Sequence, residues 1–237
     1  MTYNTWLLWR PANGHAAIFD GYLSELSASD QPHHLLFRFE DLLTALIVLA
    51  QAVRAALFWA ERVRQRRVAD PRLLTRWWFV AWLGLLIFAV STLLDSFFAM
   101  DCSPTLSAAC RAAEQSGSLS RVHYLHTYTS VSAETGIVIA MVAACLALGR
   151  VRHGGGRLRT MRHLVLGLAV AHLVALTTMM TLLAAGLPGL GYAQAVMVLV
   201  ASIGFALVGF ALAFARNWAR APDVTRELLA EPKRARW

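Results

Sequence analysis

The 237-residue sequence predicts an all-α fold, a polytopic integral membrane helical bundle with five transmembrane helices. Three observations carry that expectation. Hydrophobic residues make up 57% of the chain and charged residues only 15%, against about 25% charged in an ordinary soluble domain. Mean hydropathy is +0.51, and the apolar residues fall in long blocks rather than on scattered faces. Arginines gather at the ends of those blocks, where they set topology. The same placement argues against nucleic acid as a partner, despite a formal charge of +8.

Residues 1–40 contain no apolar run of span length. With Trp6 and Trp9 as anchors and Pro11, Asn13, Gly14 and Pro32 as turn formers, they read as an extracytoplasmic surface segment. Residues 41–215 read as the five-helix transmembrane domain. Its first span is 41–63 and carries Gln51 and Arg54; its second is 73–100. A loop follows at 101–121, then a third span at 122–148. The basic stretch GRVRHGGGRLRTMR is kept flexible by its glycines. The fourth span is 163–185, Gly186-Leu-Pro-Gly makes the next turn, and the fifth span is 192–215. Residues 216–237 read as a basic cytoplasmic tail with an amphipathic helix candidate at 223–230.

Charge orients the bundle. The 62–76 loop, the 149–162 loop and the tail together hold 17 of the 22 Lys and Arg residues, and all three fall on one side. The positive-inside rule makes that side cytoplasmic, in a multi-pass protein of the cell membrane. Trp59, Trp77, Trp78, Trp82 and Trp218 cluster near it as an interfacial belt. Five spans with an inside tail put the N-terminus outside. Residues 1–41 then cross without a preceding helix or recognisable signal peptide, so a first helix upstream of Met1 is expected.

The stretches DGYLSELSA (20–28), Pro32 and LFRFEDLL (36–43), with the histidine-containing loop before the third span, resemble the bacterial membrane proteins grouped as domain of unknown function 998. The resemblance covers most of the chain. It implies a six-helix membrane fold, distantly similar to the FRAG and DRAM type, and carries no established activity or catalytic residue. The helix that should precede DGYLSELSA is missing here.

Several residues have chemistry to offer. Cys102 and Cys110 flank a loop outside the cytoplasm, where a disulfide is permitted; Cys145 reads as a small buried hydrophobe. In the third span His126, Ser130 and Glu134 recur every four residues and so share a face, with His123 and Thr127 adjoining. Ser132, Gly136, Ala140 and Ala144 form a second stripe suited to close helix packing. A charge at the bilayer centre costs about 2.5–3.5 kcal/mol, so Glu134 needs a reason to be there. Asp95 lies in the outer part of the second span, and His172 lies mid-span in the fourth. Arg54 sits at a depth that makes it a partner for Glu134.

The leading expectation is non-enzymatic. An outward-facing polar cavity lined by Asp95, His123, His126, Ser130, Glu134, Arg54 and His172 binds or moves a lipid or small amphiphile, with no cofactor. The alternative is a zinc-dependent lipid hydrolase facing outward. There His123, His126 and Asp95, joined by Asp101, His33 and His34, would hold the metal. Ceramidase-like membrane hydrolases use Ser, Asp and His in a broadly similar way. A third reading is a structural or regulatory subunit, whose small-residue faces bind a membrane-protein partner. DGYLSELSA is either a headgroup-binding loop or a turn that caps the first span.

Overall fold

The structure is a computed structural model that describes residues 21–64, 71–149 and 156–218. Trp6, Trp9 and the amphipathic candidate at 223–230 lie outside those residues. The chain enters through a 3-10 helix, Leu23–Ser27, and continues as α1 (His34–Arg64), α2 (Pro71–Asp95), α3 (Ala108–Gln115), α4 (Arg121–Gly149), α5 (Gly156–Ala185) and α6 (Leu190–Trp218).

Four helices are long and apolar enough to cross a membrane among the described residues: Arg76–Asp95, Arg121–Leu148, Arg159–Ala185 and Leu190–Leu207. They match the second to fifth expected spans. The first expected span falls on α1, which is 31 residues long. It is not one of the four.

The helix ends have local causes. Pro32, followed by His33 in the left-handed region (φ 65°), closes the turn before α1. α1 therefore starts seven residues before the expected span. α5 ends on Gly186 (φ 62°), where Leu187 N–H reaches Leu182 O at 2.9 Å and Gly186 N–H reaches Leu183 O at 3.2 Å. That pair of bonds is a Schellman cap, and it needs a residue tolerant of positive φ. The 101–121 loop holds an unexpected helix, α3. Ser107 caps its first turn by accepting from Cys110 N–H at 3.2 Å. The expected Cys102–Cys110 disulfide is formed and ties the start of the loop to α3.

The long helices close in the order α1–α2–α4–α5–α6, with α1 touching α6. Their meeting faces are built from small residues. Ala45, Ala52, Ala81, Ala89, Ala133, Ala140, Ala143 and Ala201 are buried, while Leu57, Phe79, Val131 and Val174 point outward. That distribution suits a lipid surround, where helices gain by backbone approach rather than by burying large apolar groups. α2 and α4 approach most closely. A methyl group on Gly84 would lie 2.6 Å from Ala140 N and 2.7 Å from Gly136 O. Val48, Phe88, Ala89, Ala133, Ile137 and Ala201 fill the space where α1, α2, α4 and α6 meet. At the disulfide end, Leu23, Leu26, Phe37 and Ala195 form a second apolar plug.

Candidate functional site

Polar and ionisable groups collect in three places. The first is a cap at the disulfide end. Glu25 is buried, and its carboxylate accepts from Thr105 N–H at 3.2 Å and from the Thr105 hydroxyl. Asp30 accepts from Ser103 N–H and Oγ, each at 3.1 Å. Leu23 N–H donates to Gln194 Oε1 at 2.6 Å and so ties the segment to α6. Burial pushes the Glu25 carboxyl above its ordinary value, against the Thr105 hydrogen bonds and with help from Asp30 and Glu114. The described part of this stretch, residues 21–28, therefore packs as a largely buried cap, which fits the turn reading rather than an open headgroup loop.

Asp101 sits at the rim of this cap. Burial alone would raise its carboxyl, but bonds from Ser120 N–H and Oγ (both 2.7 Å) outweigh that and hold it low. His123 is fully buried, and its Nδ1 accepts from Asp101 N–H at 3.2 Å. A backbone amide can only donate, so Nδ1 carries no proton in this arrangement. Nε2 faces Glu114 Oε1 at 3.5 Å.

The second place is a knot joining α1, α2 and α4. A helix that ends leaves carbonyls without partners. The last carbonyls of α2 are met locally, Thr92 O by Ser96 N–H and Leu94 O by Phe97 and Phe98 N–H, and the three residues just past its end are held by its neighbours. Arg38 of α1 donates from Nε to Ser96 O at 3.0 Å and from Nη2 to Phe97 O at 3.3 Å, and His126 Nδ1–H donates to Phe98 O at 2.8 Å. Asp95 accepts from Ser130 Oγ at 2.7 Å and from the Thr129 hydroxyl, and its Oδ1 lies 3.4 Å from His126 Nδ1. Asp41 stands close enough to Asp95 and Glu40 for the like charges to interact.

The knot contains a serine, a histidine and an aspartate, with the serine hydroxyl nearer to the aspartate than to the histidine. Ser130 Oγ is 3.4 Å from His126 Nε2, yet it donates to Asp95. A nucleophile must instead hand its proton to the histidine. Among the described residues no three His, Cys, Asp or Glu side chains are placed to hold a metal. His126 Nδ1 and the Asp95 carboxylate are engaged in the bonds above, His123 Nδ1 accepts from Asp101 N–H, and His34 Nδ1 lies 3.0 Å from Gln31 O.

The third place is mid-bundle. Glu134 of α4 meets His172 of α5, with Oε1 2.7 Å from Nε2. His172 is 1% exposed, whereas the Glu134 side chain keeps 25% exposure. His172 Nδ1 is buried without a hydrogen-bond partner. The expected partner, Arg54, is not involved; it is exposed on α1.

The seven expected residues therefore do not line one outward-facing cavity. His126, Ser130 and Asp95 form the knot, His123 belongs to the cap, Glu134 and His172 form their own pair, and Arg54 stands apart. The apolar core where α1, α2, α4 and α6 meet takes the place expected for a cavity. A groove of about 330 Å³ does exist, lined by Val174, Thr177, Thr178, Thr181 and Leu182. It runs along α5 on the side away from His172. Sequence reasoning missed Arg38, Thr129, Glu25 and Thr105. The first has a readable signal, a lone cation just before a span, near where a helix end needs donors.

The described residues form six α-helices and no strand, and four of the helices are long and apolar enough to span a bilayer, which points to the class of all-helical, multi-pass membrane proteins. The chain belongs to the family described as "Protein of unknown function (DUF998)", whose model matches residues 5–211. The resemblance read from DGYLSELSA and LFRFEDLL is thereby confirmed. No curated protein and no solved structure matches the chain.

Proposed function

We propose that this protein binds or helps move a lipid or small amphiphile, which approaches sideways from the bilayer at the seam between α4 and α5. One observation carries the reading: Glu134 keeps a quarter of its side chain exposed mid-span while bonded to buried His172. An intramembrane carboxyl is costly and marks a functional site by default. A headgroup beside it would offset that cost. The proposed topology has α1 as a fifth span, the disulfide end outside and the basic loops in the cytoplasm. Three facts support it: the arginine asymmetry, the 31-residue length of α1, and a disulfide that suits an oxidising compartment.

The test is retention of a single-chain amphiphile by purified protein in nanodiscs, read by native mass spectrometry. Glu134→Ala removes one charge-assisted contact, about 1.5–3 kcal/mol, which is roughly tenfold to a hundredfold in affinity. Arg54→Ala leaves retention unchanged. Equal retention by wild type and a folded Glu134→Ala variant would remove the proposal.

Of the small-residue stripe expected to meet a partner, Gly136 and Ala140 are covered by α2 while Ser132 is exposed. The Gly136 face is already filled by α2, since a methyl group there would lie 2.6 Å from Phe88 N. Gly136→Leu thus perturbs the bundle itself.

A further inference from the structure

We infer that the Glu134–His172 pair selects a cationic amphiphile, one with a protonated amine headgroup, and gives up a proton when it binds. This rests on the reading that an amphiphile reaches the α4–α5 seam.

The inference comes from counting protons. Glu134 Oε1 and His172 Nε2 stand 2.7 Å apart, so one proton lies between them in any arrangement. With that proton alone, Glu134 is a carboxylate, His172 is a neutral ring and Nδ1 is a bare lone pair. The pair then carries one negative charge inside the membrane. Adding a second proton removes the net charge. The pair is then either a carboxylic acid with a neutral ring, or a carboxylate with an imidazolium. The imidazolium form, and the acid form in which Glu134 donates to Nε2, put a hydrogen on Nδ1, which is buried with no partner; in the acid form in which Nε2–H donates to Oε1, the second hydrogen sits instead on Oε2, the oxygen that does not bond to His172. A buried N–H without an acceptor is disfavoured more strongly than a buried lone pair.

Each protonation state of the empty pair thus keeps one defect, a net charge or a donor, on Nδ1 or on Oε2, that neither partner of the pair can accept. Among the described residues no cation bonds to the pair. The described charged side chains on the helices packed against α4 and α5 are Arg76 and Asp95, at opposite ends of α2. α6 contributes none over 190–207. The described charged and imidazole groups of α5 other than His172, namely Arg159, Arg162 and His163, lie at its other end, and on α4 Arg121 and His123 lie at the far end while His126 is held in the knot beside Asp95. None of these bonds to the pair.

A ligand ammonium group resolves both defects together. It donates to the exposed part of the Glu134 carboxylate, neutralises the one-proton state and leaves Nδ1 unprotonated. The proton balance is explicit. Where the empty pair held two protons, one leaves to solvent as the ammonium arrives, and the net charge of the site stays at zero. An uncharged headgroup cannot make this exchange, and an anionic one adds to the charge.

The experiment uses full-length protein in nanodiscs of zwitterionic lipid. Dodecylamine, dodecanol and dodecanoate are titrated in turn, with a pH indicator reporting protons after correction for ligand ionisation. The expected result is amine binding at least about tenfold tighter than the alcohol, with release of up to about one proton per amine. Glu134→Gln abolishes both the preference and the release. A ring-nitrogen NMR spectrum of labelled His172 gives a second readout that needs no variant: Nδ1 is expected to be unprotonated in the amine complex. Equal binding of amine and alcohol, or a protonated Nδ1 in the complex, overturns the cation inference while leaving the lateral-binding proposal standing. Binding of none of the three overturns both.

Discussion

Replacing Gly84 by alanine tests the closest contact in the bundle. The added methyl would lie 2.6 Å from Ala140 N, 2.7 Å from Gly136 O and 3.0 Å from Ala140 Cα. All three are backbone atoms of α4, so no side chain can swing aside. Comfortable carbon contacts begin near 3.5 Å, and the two helices must therefore part by about 0.9 Å. Overpacking of this kind costs about 1–3 kcal/mol. Against it stands the ordinary gain from replacing a helical glycine, about 0.5–1 kcal/mol. Gly167 supplies the control: it is also helical, on α5, and a methyl group there meets nothing within 4 Å. Gly167→Ala collects the gain with no clash. The two variants are expected to differ by about 1–3 kcal/mol in unfolding free energy, with Gly84→Ala the less stable. Reversible unfolding of both in the same detergent measures this. A difference below about 0.5 kcal/mol would mean that α2 and α4 do not meet at backbone distance.

Two further predictions concern the polar clusters. Asp95→Ala deprives the Ser130 and Thr129 hydroxyls of their common acceptor. It is expected to lower stability by about 1–3 kcal/mol while leaving amphiphile retention intact. Loss of retention with unchanged stability would show that the knot is a binding site and not a fastening. The cap should respond to pH in two opposite ways. Glu25 is raised, so its contribution is full below the unfolded value and fades as pH rises through the raised value. Asp101 is lowered, so its contribution is full above the unfolded value and fades as pH falls through the lowered one. Amide-exchange protection at 101–107, corrected for intrinsic rates, should weaken on both sides. Glu25→Gln should abolish only the loss on the high-pH side; a profile identical to wild type would detach that loss from Glu25.

The sequence alone determined the class of molecule. Apolar blocks longer than any soluble helix face settle the helices and their membrane setting, because solvation acts on each segment separately. The family was legible for a similar reason, since short stretches such as DGYLSELSA are contiguous in the chain. Glu134 and His172 also stood out, as polar groups in apolar surroundings.

Partnership was not legible, and here the tertiary structure decided. The stripe His126, Ser130, Glu134 repeats every four residues, but a helix turns about 40° more than a full circle in four. Across two repeats that drift carries the stripe from α2 round to α5, so Asp95 takes one end of it and His172 the other. Periodicity fixes which way a side chain points on its own helix. What stands opposite depends on how neighbouring helices cross. Here the Gly84–Gly136 approach presses α2 against α4, and α5 is left to meet Glu134 on the open side.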